Sequence, residues 1–139
     1  LFEVIASLES LAAERLARTI ASDTLDELEE LHAKMLTYHK VGSIADYFDT
    51  NSDIHDFIVE HCGNPLILET HTRLIARARR GRFLAIMQPK RLDEALGEHE
   101  ILMDALRGRD PALAAQIWRS HLLHTGETVA AALRDVAGE

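Results

Sequence analysis

Apolar residues along the chain recur every three or four positions, and no stretch alternates with a period of two. That pattern predicts helices and no strands. From Leu1 to about Ala21 the row is Val4, Ile5, Leu8, Leu11, Ala12, Leu16 and Ile20. Ser22-Asp23-Thr24 follows, and Thr24 with Glu27 three residues on has the form of a capping box for a second helix carrying Leu25, Leu28, Leu31, Met35 and Leu36. Val41-Gly42-Ser43 ends it, and Ser43 is placed to accept from the free amides of a third helix with Ile44, Tyr47, Phe48, Ile54, Ile58 and Val59 inward.

Gly63-Asn64-Pro65 closes that helix and opens a fourth, since glycine tolerates the left-handed position, asparagine caps, and proline sits where no amide is needed. The fourth helix runs through Ile67, Leu74, Ile75 and Ala78 into the basic run Arg77, Arg79, Arg80 and Arg82, and fades before Pro89. A fifth, from about Lys90 to Leu106, uses Leu92, Ala95, Leu96, Leu102 and Met103. Asp110-Pro111 opens a sixth on Leu113, Ala114, Ile117 and Leu122. Short connections between amphipathic helices predict an all-α, antiparallel bundle, in one domain at 139 residues.

Composition narrows the possible partners. Fifteen Lys and Arg against 23 Asp and Glu give a net charge of −8, the wrong sign for neutralising phosphates, so these residues are a poor nucleic-acid surface. An apolar fraction of 47% supplies a core, yet no run reaches the length of a membrane span. The lone Cys62 cannot form an internal disulfide, which suits a reducing cytoplasm, and the residues from Leu1 onward do not read as a basic, apolar leader, so no signal peptide is expected among them.

Function has to be sought in polar residues that occupy inward positions. Asn51 and His55 are one turn apart and continue the row from Tyr47 and Phe48 to Ile58. His99 continues Leu92, Ala95 and Leu96, and His121 continues Leu113, Ala114 and Ile117. A single histidine on an apolar face is ordinarily a satisfied core residue. Three from separate helices need a shared partner for their lone pairs, and a divalent cation such as Zn or Ni is one, with the Asn51 carbonyl completing the set.

His71 fits the inward row of the fourth helix, and His124 lies one turn from His121, whereas His32, His39 and His61 read as surface or helix-end residues. The Arg77 to Arg82 run reads as a solvated helix end; its minority reading is an anion clamp, in which Arg77, Arg73 and His71 hold a ligand carboxylate. Glu29-x-x-His32 lacks the second pair of a di-iron bundle, and Met103 stands where a zincin would have its second histidine. An enzyme activating water on the metal is a rival reading, but Glu98 is the only carboxylate neighbouring the histidines and its row points outward. A ligand-free interaction module is the other rival.

The ordered landmarks Asn51-x-x-x-His55, Gly63-Asn64-Pro65, Glu98-His99, Gly108-Arg109-Asp110 with Ala114-Ala115, and His121-Leu122 resemble the FCD domain, the C-terminal effector-binding domain of the FadR subfamily of GntR transcription regulators. Leu8-Glu9, Ala12-Ala13 and Leu16-Ala17 resemble that family's first helix, and the similarity runs from about residue 2 to 125. The resemblance implies a bundle of six to seven helices that binds a small organic acid beside a metal held by an Asp and three His. It implies a homodimer too, with DNA bound only through a winged helix-turn-helix domain upstream of this chain. His55, His99 and His121 match the three imidazoles.

Two positions depart from the pattern. Asn51 stands where the family most often has Asp, which removes a negative charge and should weaken metal affinity or favour nitrogen-loving cations. Ile5 stands where an Arg commonly holds the ligand carboxylate. Either an Arg of the fourth helix takes over, or the ligand binds mainly through the metal, or the effector differs from the usual sugar acids and dicarboxylates.

Overall fold

The computed structural model describes residues 1–137, and these form six helices. They are α1 (Phe2–Thr19), α2 (Ser22–Val41), α3 (Ile44–Glu60), α4 (Pro65–Ile86), α5 (Pro89–Arg107) and α6 (Pro111–Ala137). Among the described residues there is no strand, and no helix is long and apolar enough to cross a membrane.

Helix α1 is the centre of the bundle. It touches α3, α4, α5 and, most extensively, α6. Its inward face is Ile5, Ala6, Glu9, Ser10, Ala12, Ala13, Leu16 and Ala17, and the alanines let neighbouring helices come close. Phe2 packs at Gly126 and Ser7 accepts from Arg119, so α1 and α6 run antiparallel. At that crossing a Cβ on Gly126 would lie 2.7 Å from the Phe2 Cβ, which explains a glycine inside a long helix. Helices α5 and α6 also run antiparallel, since Arg91 meets Thr125 and Glu98 meets His121. One apolar cluster centred on Trp118, Tyr47, Leu28, Ile58, Leu102 and Leu122 fills the interior.

Two predicted caps form and two do not. Asn64 Oδ1 accepts from the Leu66 and Ile67 amides, and Asp110 Oδ1 accepts from Leu113. Gly63 has the positive φ, 78°, that its place in the turn demands. The Thr24 capping box is absent because α2 begins at Ser22 with Ala21 as its N-cap, three residues before Thr24, which places Thr24 inside the helix. Ser43 makes no capping bond either. Its hydroxyl donates to Asp46 Oδ2, a stronger acceptor than an amide is a donor.

Candidate metal centre

Helix α3 supplies Asn51 and His55 from successive turns, α5 supplies His99 and α6 supplies His121, all buried. The rings of His55 and His99 are 5.7 Å apart, those of His55 and His121 5.2 Å, and those of His99 and His121 5.0 Å. Each ring offers one nitrogen, and the three nitrogens lie within 4.8 Å of one another. The closest approach is His55 Nε2 to His121 Nε2 at 3.4 Å, and the buried His99 Nε2 has no hydrogen-bond partner.

Two carboxylates decide which way these rings are protonated. Glu9 Oε1 lies 2.5 Å from His55 Nδ1, and Glu98 Oε1 lies 2.7 Å from His121 Nδ1. A carboxylate accepts, so each Nδ1 carries the proton and each Nε2 turns a bare lone pair toward the other. Two buried lone pairs in opposition are unfavourable without a shared electrophile. A carboxylate behind the imidazole is also the arrangement that orients a metal-binding histidine and raises its basicity.

Each carboxylate is tied in turn to an arginine. Glu9, on the inward face of α1 and fully buried, accepts from Arg82 Nη2 at 2.7 Å and sits 3.0 Å from His71 Nε2. Glu98 accepts from Arg91 Nη2 at 2.5 Å, and the same guanidinium donates to the His121 carbonyl and to Thr125 Oγ1. Desolvation works to raise both carboxyls, but the cations and donors around them win: Glu9 is held well below the usual range and Glu98 at about 2. Burial also keeps the three imidazoles neutral. It pulls His55 down to about 3 against the pull of Glu9, lowers His121 despite Glu98, and puts His99 well below an ordinary histidine, with the neighbouring His121 and His55 adding to the effect.

Trp118 closes one side, stacked on His121 at 4.4 Å and on His55 at 4.7 Å. On another side lies a cavity of about 20 Å³, lined by Asn51, Tyr47, Arg82, Arg91 and Thr125 together with His55 and His121. It has room for about one water-sized body. The Tyr47 hydroxyl is buried without a partner, and burial raises its pKa, so it remains an available donor. Arg82 separates this cavity from an outer one of about 190 Å³ between α3 and α4, where Ser52, Asp56 and Arg79 also line the wall. Three neutral imidazoles whose nitrogens converge are a donor set that suits a borderline cation such as Zn or Ni, and Asn51 lines the cavity beside two of them.

The sequence-predicted ligand arginines lie elsewhere. Arg73 pairs with Glu69 on the exposed face of α4, and Arg77 is exposed as well. Neither lines the cavity, because the inward row of α4 passes through His71, Ala78, Arg82 and Ala85. His71 does face inward, but it is occupied by Glu9. His32 corrects its surface assignment: it is buried, Nε2 bonds Glu100 at 2.7 Å, and its ring stacks against His99. It falls on the row Leu28, His32, Met35, which the period already contained. Glu98 is a second correction, since it lies on the inward row of Arg91, Ala95 and Leu102 and reaches Arg91 and His121.

A profile of the FCD domain matches residues 1–124 of the chain. The HTH-type transcriptional repressor NanR of Escherichia coli (strain K12) is 29% identical over 117 residues, which cover 77% of this chain and 42% of that protein. The NanR repressor of Shigella flexneri matches equally. The HTH-type transcriptional repressor GlaR of Escherichia coli (strain K12) is 33% identical over 73 residues, covering 50% of this chain and 33% of that protein. The chain therefore spans less than half the length of these relatives.

Proposed function

The chain belongs to the FCD domain family, and from that premise we propose that it is the effector-sensing domain of a GntR-type transcription regulator, binding a small carboxylate beside a divalent metal. Its relatives are repressors, a regulatory rather than a catalytic family, so the hydrolase reading falls away. Glu9 and Glu98 are in any case committed to histidine and arginine, which leaves neither free as a general base.

The observation that carries the reading is the convergence of His55, His99 and His121, with bare nitrogens on at least His55 and His121 and an unpartnered Nε2 on His99. These would hold the metal, with the Asn51 carbonyl as a weaker fourth ligand. The metal supplies a Lewis-acidic point for one carboxylate oxygen. Arg82 and Arg91, rather than Arg73 or Arg77, then flank the rest of the acid, with Tyr47 and Thr125 as hydroxyl donors.

The cavity is too small for a metabolite as it stands, so an acid has to displace the wall at Arg82 or Arg91. Either arginine is anchored to a different helix pair, α1 with α4 or α5 with α6, and moving one repacks the bundle. A ligand preferring the repacked form by 100-fold shifts the equilibrium by about 2.7 kcal/mol. In the whole regulator this shift would pass, in a cytoplasmic homodimer, to an N-terminal winged helix-turn-helix that contacts DNA.

Metal analysis of untagged protein, with a thermal-shift screen of organic acids in the presence and absence of added Zn or Ni, tests the proposal. Stoichiometric metal and an acid whose stabilisation vanishes on chelation support it. Metal-free protein indifferent to both sinks it.

A further inference from the structure

The charge around the histidines is balanced before any ion arrives. Among the described residues, the charged side chains facing the cluster are Glu9 from α1, Arg82 from α4, and Arg91 and Glu98 from α5. Helix α3 brings Asn51 and His55, and α6 brings His121, none of them anionic. Glu9 is matched by Arg82, and Glu98 by Arg91. Beyond these, Asp56 is half-buried on the outer side of Arg82, and Glu94 and Glu100 are about half exposed against Arg91 and His32. A divalent ion among the three imidazoles would bring two positive charges into an interior whose two inward carboxylates, Glu9 and Glu98, are each already paired with an arginine. That is costly unless something anionic comes with it.

Resting on the metal assignment above, we propose that this domain takes up its divalent metal and an anion as a pair, and that Asn51 is the residue that makes loading depend on the anion. An aspartate at position 51 would bring one negative charge from the protein itself. The asparagine offers a carbonyl dipole and no charge, so the neutralising charge must come from solution. A dicarboxylate supplies two negative charges and fits the requirement better than a monocarboxylate. Metal and acid are then positively coupled, each raising the affinity for the other by the same factor. The domain reports the joint presence of both and stays unswitched by either alone.

Calorimetric titration of the untagged 139-residue chain with Ni²⁺, in a non-coordinating buffer containing perchlorate, acetate or malonate, tests this directly. Malonate is expected to tighten Ni²⁺ binding by roughly tenfold or more, and acetate by less. Asn51→Asp is expected to bind Ni²⁺ more tightly in perchlorate and to lose most of the malonate effect. A wild-type affinity that is the same in all three buffers overturns the coupling while leaving the metal centre intact. No Ni²⁺ uptake in any buffer overturns the centre itself, and with it this inference.

Discussion

His55 and His121 face each other Nε2 to Nε2 across 3.4 Å, from helices that place them 66 positions apart in sequence. Each ring is turned that way by a carboxylate behind it, Glu9 for one and Glu98 for the other. The pair is thus held in opposition by α1 and α5.

His99 is the third arm and has no carboxylate of its own to fix it. His99→Ala should abolish stoichiometric metal and, with it, the stabilisation that metal gives, about 2.7 kcal/mol at a hundredfold excess over Kd. Elemental analysis and melting with and without chelator check this. Full metal occupancy in the variant would remove His99 from the set.

The metal-free domain should lose stability as pH falls below about 6.5, the unfolded histidine value. The folded pKa values of His55, His99 and His121 are depressed by burial, so between there and the folded values the unfolded chain binds more protons. Unfolding then becomes easier toward acid, by up to about 1.4 kcal/mol per pH unit for each histidine. The loss continues through about pH 3, where His55 itself titrates in the folded state. Urea midpoints between pH 7.5 and 5 in chelator give the slope; a flat or opposite trend would mean that these imidazoles are not neutral in the fold.

Glu9→Ala should be one of the most damaging single changes. It leaves Arg82 buried without its anion and frees both His55 and His71, at a cost of about 3–5 kcal/mol. Replacing Glu9 and Arg82 together by Met and Leu should recover much of that, because the uncompensated charge goes as well. Denaturant unfolding of both variants provides the comparison, and a double variant no better than Glu9→Ala would assign the loss to packing.

Gly126→Ala should destabilise, although alanine is the better helix former by about 1 kcal/mol. The added methyl meets the Phe2 Cβ at 2.7 Å, and so close to the backbone it cannot be relieved by rotating a ring. A net loss of about 1–3 kcal/mol is expected from overpacking. Thermal melting decides it, with a raised Tm counting against a tight α1–α6 crossing. Gly97, with open space around it, is the control and should tolerate alanine.

What the sequence made legible was whatever is local or periodic. Asn64 and Asp110 cap within three residues of themselves, and His55, His99 and His121 declare their direction by the rows they sit in. The capping failures at Thr24 and Ser43 are also local, and come from a start shifted by three residues and from the acceptor Asp46 that takes the Ser43 hydroxyl. Glu9, Arg82 and Arg91 were hidden for a different reason. Charge argues for the surface at each position taken singly, and only pairing lets them be buried, Glu9 with Arg82 between α1 and α4 and Arg91 with Glu98 along α5. Glu9 did leave one trace, a lone acid among alanines on the inward face of the first helix. Glu98 left a similar trace, since it stands three residues after Ala95 and four before Leu102 on the buried row of α5.

Trp118 is the chain's single tryptophan, and it lies flat against His55 and His121. Its indole is therefore a built-in optical probe: a paramagnetic ion such as Ni²⁺ or Cu²⁺ a few ångströms away would quench its emission, and diamagnetic Zn²⁺ would only shift it. Occupancy of the bundle can be followed by native fluorescence, with no label attached and no residue replaced.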